Sequence, residues 1–147
     1  MAPSNAMQYR RITYISRADA DLPATDVRQI LGLAEVLHRR HDLSGVLAYT
    51  GRHFFQVIEG VDAEVEDLLI QIRADNRHHD MRILCDEVVR QRIHDRWYSL
   101  MVDRLDLVDQ VEAAHHGEDV GREHAQQLTY RIAALRDQAD LPPGSLA

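Results

Sequence analysis

Apolar and polar residues alternate at period two in five short stretches of this chain, and recur at helical spacing between them. Residues 10–16 read as a first strand with Tyr14 at its centre. A turn at 19–23 follows, and Thr25 is the expected N-cap of a helix with Asp26 in its first turn. Val27, Ile30, Leu31, Ala34 and Leu37 form the inward stripe of that helix; His38 continues the stripe and His41 lies one step beyond. Residues 43–50 and 53–59, joined at Gly51 and Arg52, predict a hairpin. Asp62 is the expected cap of a second helix, with Val61, Val65, Leu68, Leu69 and Ile72 inward and Glu64, Glu66 and Asp67 in water. Residues 81–90 and 97–102 complete five strands. The order predicts an α+β, ferredoxin-like β-α-β-β-α-β fold with an added fifth strand and both helices on one sheet face.

Two strands are apolar on both sides. In the third, Phe54, Gln56 and Ile58 oppose Phe55 and Val57; in the fifth, Trp97, Ser99 and Met101 oppose Tyr98, Leu100 and Val102. Helices on one face leave the other in need of a cover. The tail supplies a candidate: a short apolar segment (Leu107, Val108, Val111), a polar break at 115–117, and a helix over about 118–139 carrying Val120, Leu128, Ile132 and Leu135. It is expected to cover Phe55, Val57, Tyr98, Leu100 and Val102, within its own chain or exchanged with a second copy. A homo-oligomer whose contact includes this helix or the sheet face beneath it is the accompanying expectation.

Composition narrows the choices. A chain of 147 residues, 45% hydrophobic and 28% charged, suits one ordinary domain with no room for a catalytic output domain. A net charge of −7 disfavours nucleic acid and anionic lipid as partners. All 17 basic residues are Arg, for which there is no functional account. Cys85 is the only cysteine, and no apolar run reaches the roughly 18 residues that span a bilayer. Residues 1–6 lack the basic and apolar parts of a secretory signal, and Ser4-Asn5-Ala6 before Met7 reads as a tag remnant. A cytoplasmic protein is expected.

Candidate chemistry centres on Gln56. A buried amide left unpaired costs roughly 1–3 kcal/mol, and a tyrosine such as Tyr14 in a neighbouring strand can share a hydrogen bond with it beneath a ligand. Elsewhere the signal is thin. Neither His115-His116 with His124 nor His78-His79-Asp80 has the spacing of a known metal site, so no metal is expected. Acidic residues scatter over presumed outer faces, and no phosphate loop or Ser-His-Asp order is visible. An enzyme is therefore not expected, and a small ferredoxin-like hydrolase has the fold alone for support.

Tyr14-Ile15-Ser16, Ser44-Gly45-Val46-Leu47-Ala48-Tyr49, Phe54-Phe55-Gln56-Val57-Ile58-Glu59-Gly60, Asp75-Asn76-Arg77-His78 and then Trp97 occur in this order. Their order and spacing resemble the BLUF family, blue-light sensors that use FAD. The likeness covers about residues 8–105, the implied flavin-binding domain; the residues on either side read as a tag-like or disordered start (1–7), a helical cap (106–140) and a disordered tail (141–147). It implies a flavin between the two helices, FAD first, with FMN and riboflavin as alternatives. It further implies that Tyr14 donates an electron and a proton to the excited flavin and that Gln56 rearranges its hydrogen bonds to mark the lit state. Ile30, Leu33 and Phe54 belong to the implied binding set. Arg77, with His78 beside it, would lie against the flavin as a planar fork of donors. Trp97 would lie near the flavin or away from it, and Ser99 stands where many members have Met.

Besides Ser99, a second position departs from the family. Members carry an Asn near the end of the first helix; counting from Glu35 places it at His41, and counting back from Gly45 at His38. His41 is the expected ligand, because that count crosses no gap. The implied function is a blue-light photoreceptor signalling to an unidentified downstream protein. The alternatives are a flavin-free interaction module of the same fold and the hydrolase.

Overall fold

The computed structural model describes residues 8–117 and 122–139. Within them, β1 (Tyr9–Ala18), α1 (Ala24–Arg40), β2 (Ser44–Tyr49), β3 (His53–Gly60), α2 (Asp62–Ala74), β4 (His78–Val89), β5 (Trp97–Met101), α3 (Leu105–His116) and α4 (Arg122–Ala139) follow in order. The strands form one sheet, β4-β1-β3-β2-β5. β1 is antiparallel to β3 and β4, β2 is antiparallel to β3, and β5 joins β2 in parallel. This is the expected ferredoxin-like order with its fifth strand on the β2 edge. No helix among the described residues is long and apolar enough to cross a membrane.

Period-two alternation sorts the core into two layers. Ile12, Tyr14, Leu43 and Ile58 pack with Val65 and Leu69 of α2, while Ala18, Leu47, Phe54 and Trp97 pack with Ala34 of α1. On the opposite face Ile15, Val46, Ala48, Phe55, Val57, Tyr98 and Val102 lie beneath Leu107, Val111 and Ala114 of α3 and Leu128 and Ile132 of α4. The tail thus covers the second face from within the same chain, and that face does not call for a second copy. α3 runs through all of 105–116 and does as much of the covering as α4. Val120 and the segments 1–7 and 141–147 lie outside the described residues.

Two predicted caps are corrected. α1 begins at Ala24, so Thr25 sits inside its first turn, and the amides of Asp26 and Val27 bond the carbonyl of Pro23 instead. For α2 the capping position is Val61, with no side-chain cap; Asp62 opens the helix and pairs with Arg10 at 3.2 Å. In both places backbone or ion-pair contacts took the role that a polar side chain was expected to fill. Gly45 holds φ at 144°, and a Cβ there would stand 1.8 Å from the carbonyl oxygen of Val57. Only glycine lets β2 approach β3 this closely.

The last correction concerns Glu59, since not every acidic residue lies on an outer face: its side chain is fully buried. It organises the crossover from β4 to β5. One oxygen accepts from the His94 amide (2.8 Å) and lies 3.1 Å from His94 Nδ1; the other accepts from the Ile93 amide and Arg11 Nε, both at 2.8 Å. Burial alone would raise the Glu59 pKa, but the bonds from His94, Ile93 and Arg11 outweigh it and hold the carboxyl below its usual range. A depressed folded-state pKa adds stability above the unfolded value of about 4.3, which is lost as pH falls through and below it. Glu59→Gln turns an NH2 toward these donors and is expected to cost about 3 kcal/mol or more, with a flattened acid limb of the stability–pH curve. Urea unfolding between pH 3 and 7 checks both; a variant as stable as the parent would exclude this role.

Candidate functional site

Between α1 and α2, above the sheet, lies a cleft of about 230 Å³. Tyr14, Leu47, Phe54 and Gln56 form its floor, Ile30, Leu33 and Ala34 its α1 wall, and Leu68, Gln71 and Ile72 its α2 wall. Asp75, Arg77 and His78, where α2 hands over to β4, close one side. Apart from Gln71 the walls are apolar, and the other polar groups gather at the floor and that one side. Such a shape suits a flat ligand with apolar faces and a polar edge.

Strand register places the central pair. Tyr14 and Gln56 are direct partners in the β1–β3 ladder, with both side chains on the cleft face. The Tyr14 hydroxyl donates to Gln56 Oε1. Gln56 is 3% exposed and lines the cleft. Burial, helped by the nearby charge of Asp75, pushes the Tyr14 pKa far above its usual value, so the phenol keeps its proton throughout the neutral range.

Arg77 grips Asp75 through two parallel bonds, Nε to Oδ1 at 2.9 Å and Nη2 to Oδ2 at 2.7 Å. The hydrogen bonds from Arg77 hold the Asp75 carboxyl below its ordinary range, and the same bonds raise the Arg77 pKa. His78 lines the cleft with its ring, while both of its nitrogens are engaged in the frame. Nε2 lies 2.7 Å from the Ile72 carbonyl, which only accepts, so Nε2 carries the hydrogen; Nδ1 then accepts from the Ser16 hydroxyl at 2.7 Å. His78 thereby ties β4 to β1 and to the end of α2.

The remaining expected residues divide. Ile30, Leu33 and Phe54 line the cleft. Trp97 does not line it; it packs behind Leu47 and Phe54 and donates Nε1–H to Ser99 Oγ at 3.0 Å. The Ser99 hydroxyl donates to the Leu31 carbonyl at 2.9 Å, joining β5 to α1. His41 is not brought to the cleft. α1 ends at Arg40, Asp42 takes a φ of 52°, and the half-exposed imidazole meets Glu64 of α2 at 3.0 Å. The side chain of His38 lies outside the described residues. Leu47, Leu68, Gln71, Ile72 and Asp75 line the cleft without having been singled out. Gln71 follows Leu68 by one helical turn, the spacing that would have found it.

A profile of the family described as sensors of blue-light using FAD matches residues 9–99. The chain is 29% identical over 126 residues to the blue light- and temperature-regulated antirepressor BluF of Escherichia coli (strain K12), which covers 85% of this chain and 30% of that protein. It is 32% identical over 94 residues to photoactivated adenylate cyclase subunit alpha of Euglena gracilis, covering 62% of this chain and 9% of that protein. The chain therefore spans less than a third of the length of these relatives. Among solved structures, BlrB, a BLUF protein in its dark state, superposes with a TM-score of 0.72 at 29% identity, over 88% of this chain and 98% of that one. BlsA in its photo-activated state reaches 0.71 at 24% identity, over 84% and 94%, a likeness of fold.

Proposed function

The chain belongs to the BLUF family of blue-light sensors, and on that premise we propose that it holds a flavin, FAD before FMN or riboflavin, in the cleft between α1 and α2. The observation that carries this reading is the Tyr14–Gln56 pair at the cleft floor, with the Tyr14 hydroxyl donating to Gln56 Oε1. An isoalloxazine ring fits this set of residues. Ile30, Leu33, Phe54, Leu68 and Ile72 offer apolar surface to its faces, and Gln56 and Arg77 offer donors to its edge. A flavin bound there supplies absorption of blue light and an excited state that takes up an electron.

The protein's own part is played by two side chains. Tyr14, neutral and buried, holds its proton at Oη against Gln56 Oε1 and is the donor of electron and proton. Gln56 carries an acceptor and a donor on one rotor. Turned over, it shows Oε1 to the cleft and NH2 to the Tyr14 oxygen, which reverses the pattern on both sides. From the floor, the change passes through Phe54 and Leu47 to Trp97, and through Ser99 to α1. A downstream protein receives it, with a second copy of this chain as the alternative receiver. By name the relatives include a light-regulated antirepressor and photoactivated cyclases, so this chain is read as their sensing part without a reaction of its own.

The test is one absorption spectrum of the purified protein, taken before and after blue light. Flavin bands that shift reversibly to the red are expected, and chromatography of the released cofactor identifies the flavin. A colourless protein that takes up no added FAD would overturn the reading in favour of a flavin-free interaction module.

A further inference from the structure

On the sheet face opposite the cleft, the start of β3 meets the last turn of α3. His53, His115 and His116 come together there, and one ring nitrogen from each lies within 4.8 Å of the other two. Ring centroids are 4.9 Å apart for His53 and His115 and 5.2 Å for His115 and His116. His53 is 1% exposed, and neither of its ring nitrogens has a hydrogen-bond partner; Nδ1 of His115 is buried and unpartnered as well. Buried polar atoms are nearly always paired, so three orphaned nitrogens in one place point to a missing ligand.

The protonation pattern says which kind. His115 Nε2 lies 2.8 Å from the carbonyl oxygen of Asp80. That oxygen only accepts, so Nε2 carries the hydrogen and the orphaned Nδ1 carries a lone pair. Asp80 sits where the β1–β4 register shifts, and its φ of 52° is a departure from strand geometry that turns this carbonyl toward α3. A histidine that binds a metal through one nitrogen commonly donates the other N–H to a carbonyl in this way. His53 is enclosed beside His115, with neither of its nitrogens engaged elsewhere. The other charged groups facing it are Arg17 of β1 and Glu112 and His116 of α3.

We infer that His53, His115 and His116 bind one divalent zinc ion through three imidazole nitrogens, with the fourth position open on the exposed His116 side. Neutral imidazoles suit zinc, and three of them leave a tetrahedral ion one free position. Zn–N bonds of about 2.0–2.1 Å set ligand nitrogens about 3.3–3.4 Å apart, so the rings close in on binding and His116 turns most. The ion pins α3 to β3, the strand that presents Gln56 on its other face. The sequence names His115 and His116 without His53 and leads to no metal site; docking of α3 on the sheet supplies the third ligand.

The test uses the full-length protein with its flavin content unaltered, stripped by a chelator and titrated with zinc chloride by calorimetry. One ion per chain and a raised melting temperature are expected, and cobalt(II) as a probe should give the visible bands of a tetrahedral site. His116→Ala, at an exposed position, should stay folded by circular dichroism, lose at least ten-fold in zinc affinity and lose the cobalt bands. His53→Gln should do the same, and His124→Ala on α4 should keep both. Absence of saturable one-to-one zinc binding, or undiminished binding in folded His116→Ala, would overturn the site.

Discussion

Tyr14→Phe is expected to keep the fold and the bound flavin and to lose the light-induced red shift entirely. The ring of Tyr14 is 3% exposed and packs among Ile12, Leu43, Ile58, Val65 and Leu69. Phenylalanine fills the same space, so the packing survives. What disappears is one oxygen with its proton, and with it the bond to Gln56 Oε1. The loss costs about 1–3 kcal/mol of stability, because Oε1 is left without its donor. Under the proposed mechanism it also removes the group that gives up electron and proton. Gln56→Leu should abolish the shift from the other side, since no rotor remains to exchange acceptor for donor. A lit-minus-dark spectrum of each variant decides the matter. A full red shift in Tyr14→Phe would remove Tyr14 from the photochemistry.

The layers of the fold were legible because alternation is a local property. Phe54, Gln56 and Ile58 against Phe55 and Val57 already state that β3 is buried on both faces, and the tail carries the apolar stripe to match. Caps were less legible. Thr25 and Asp62 have the right chemistry, but a neighbouring carbonyl and an arginine competed for the same roles. His41 failed for a related reason, as counting residues along α1 says nothing of the turn at Asp42 that carries the ring to Glu64. Glu59 and His53 were hidden altogether. Each is polar at a strand position whose burial depends on a distant segment, the 90–96 crossover for one and α3 for the other. Pairings made across more than thirty residues of chain leave no local pattern to read.

The cap carries the second large effect. Removing the chain from residue 105 onward should unfold the domain or drive it to self-associate through the uncovered face. Ile15, Val46, Phe55, Val57 and Tyr98 are each at most 9% exposed, and α3 and α4 are what cover them. At roughly 1.5–3 kcal/mol per large side chain, re-exposing these five costs about 7–15 kcal/mol. That matches the whole stability of an ordinary domain, roughly 5–15 kcal/mol. The single change Ile132→Ala, at a position with no exposure, grades the same idea at about 2–5 kcal/mol. Flavin content should fall with the cap, because Phe55 and Val57 alternate along β3 with Phe54 and Gln56 of the cleft floor. A strand that loses its backing on one face cannot hold a fixed register on the other. Sedimentation and thermal unfolding of the shortened chain provide the measurement. A monomer with the parent's melting temperature and flavin content would show that the sheet stands without its cap.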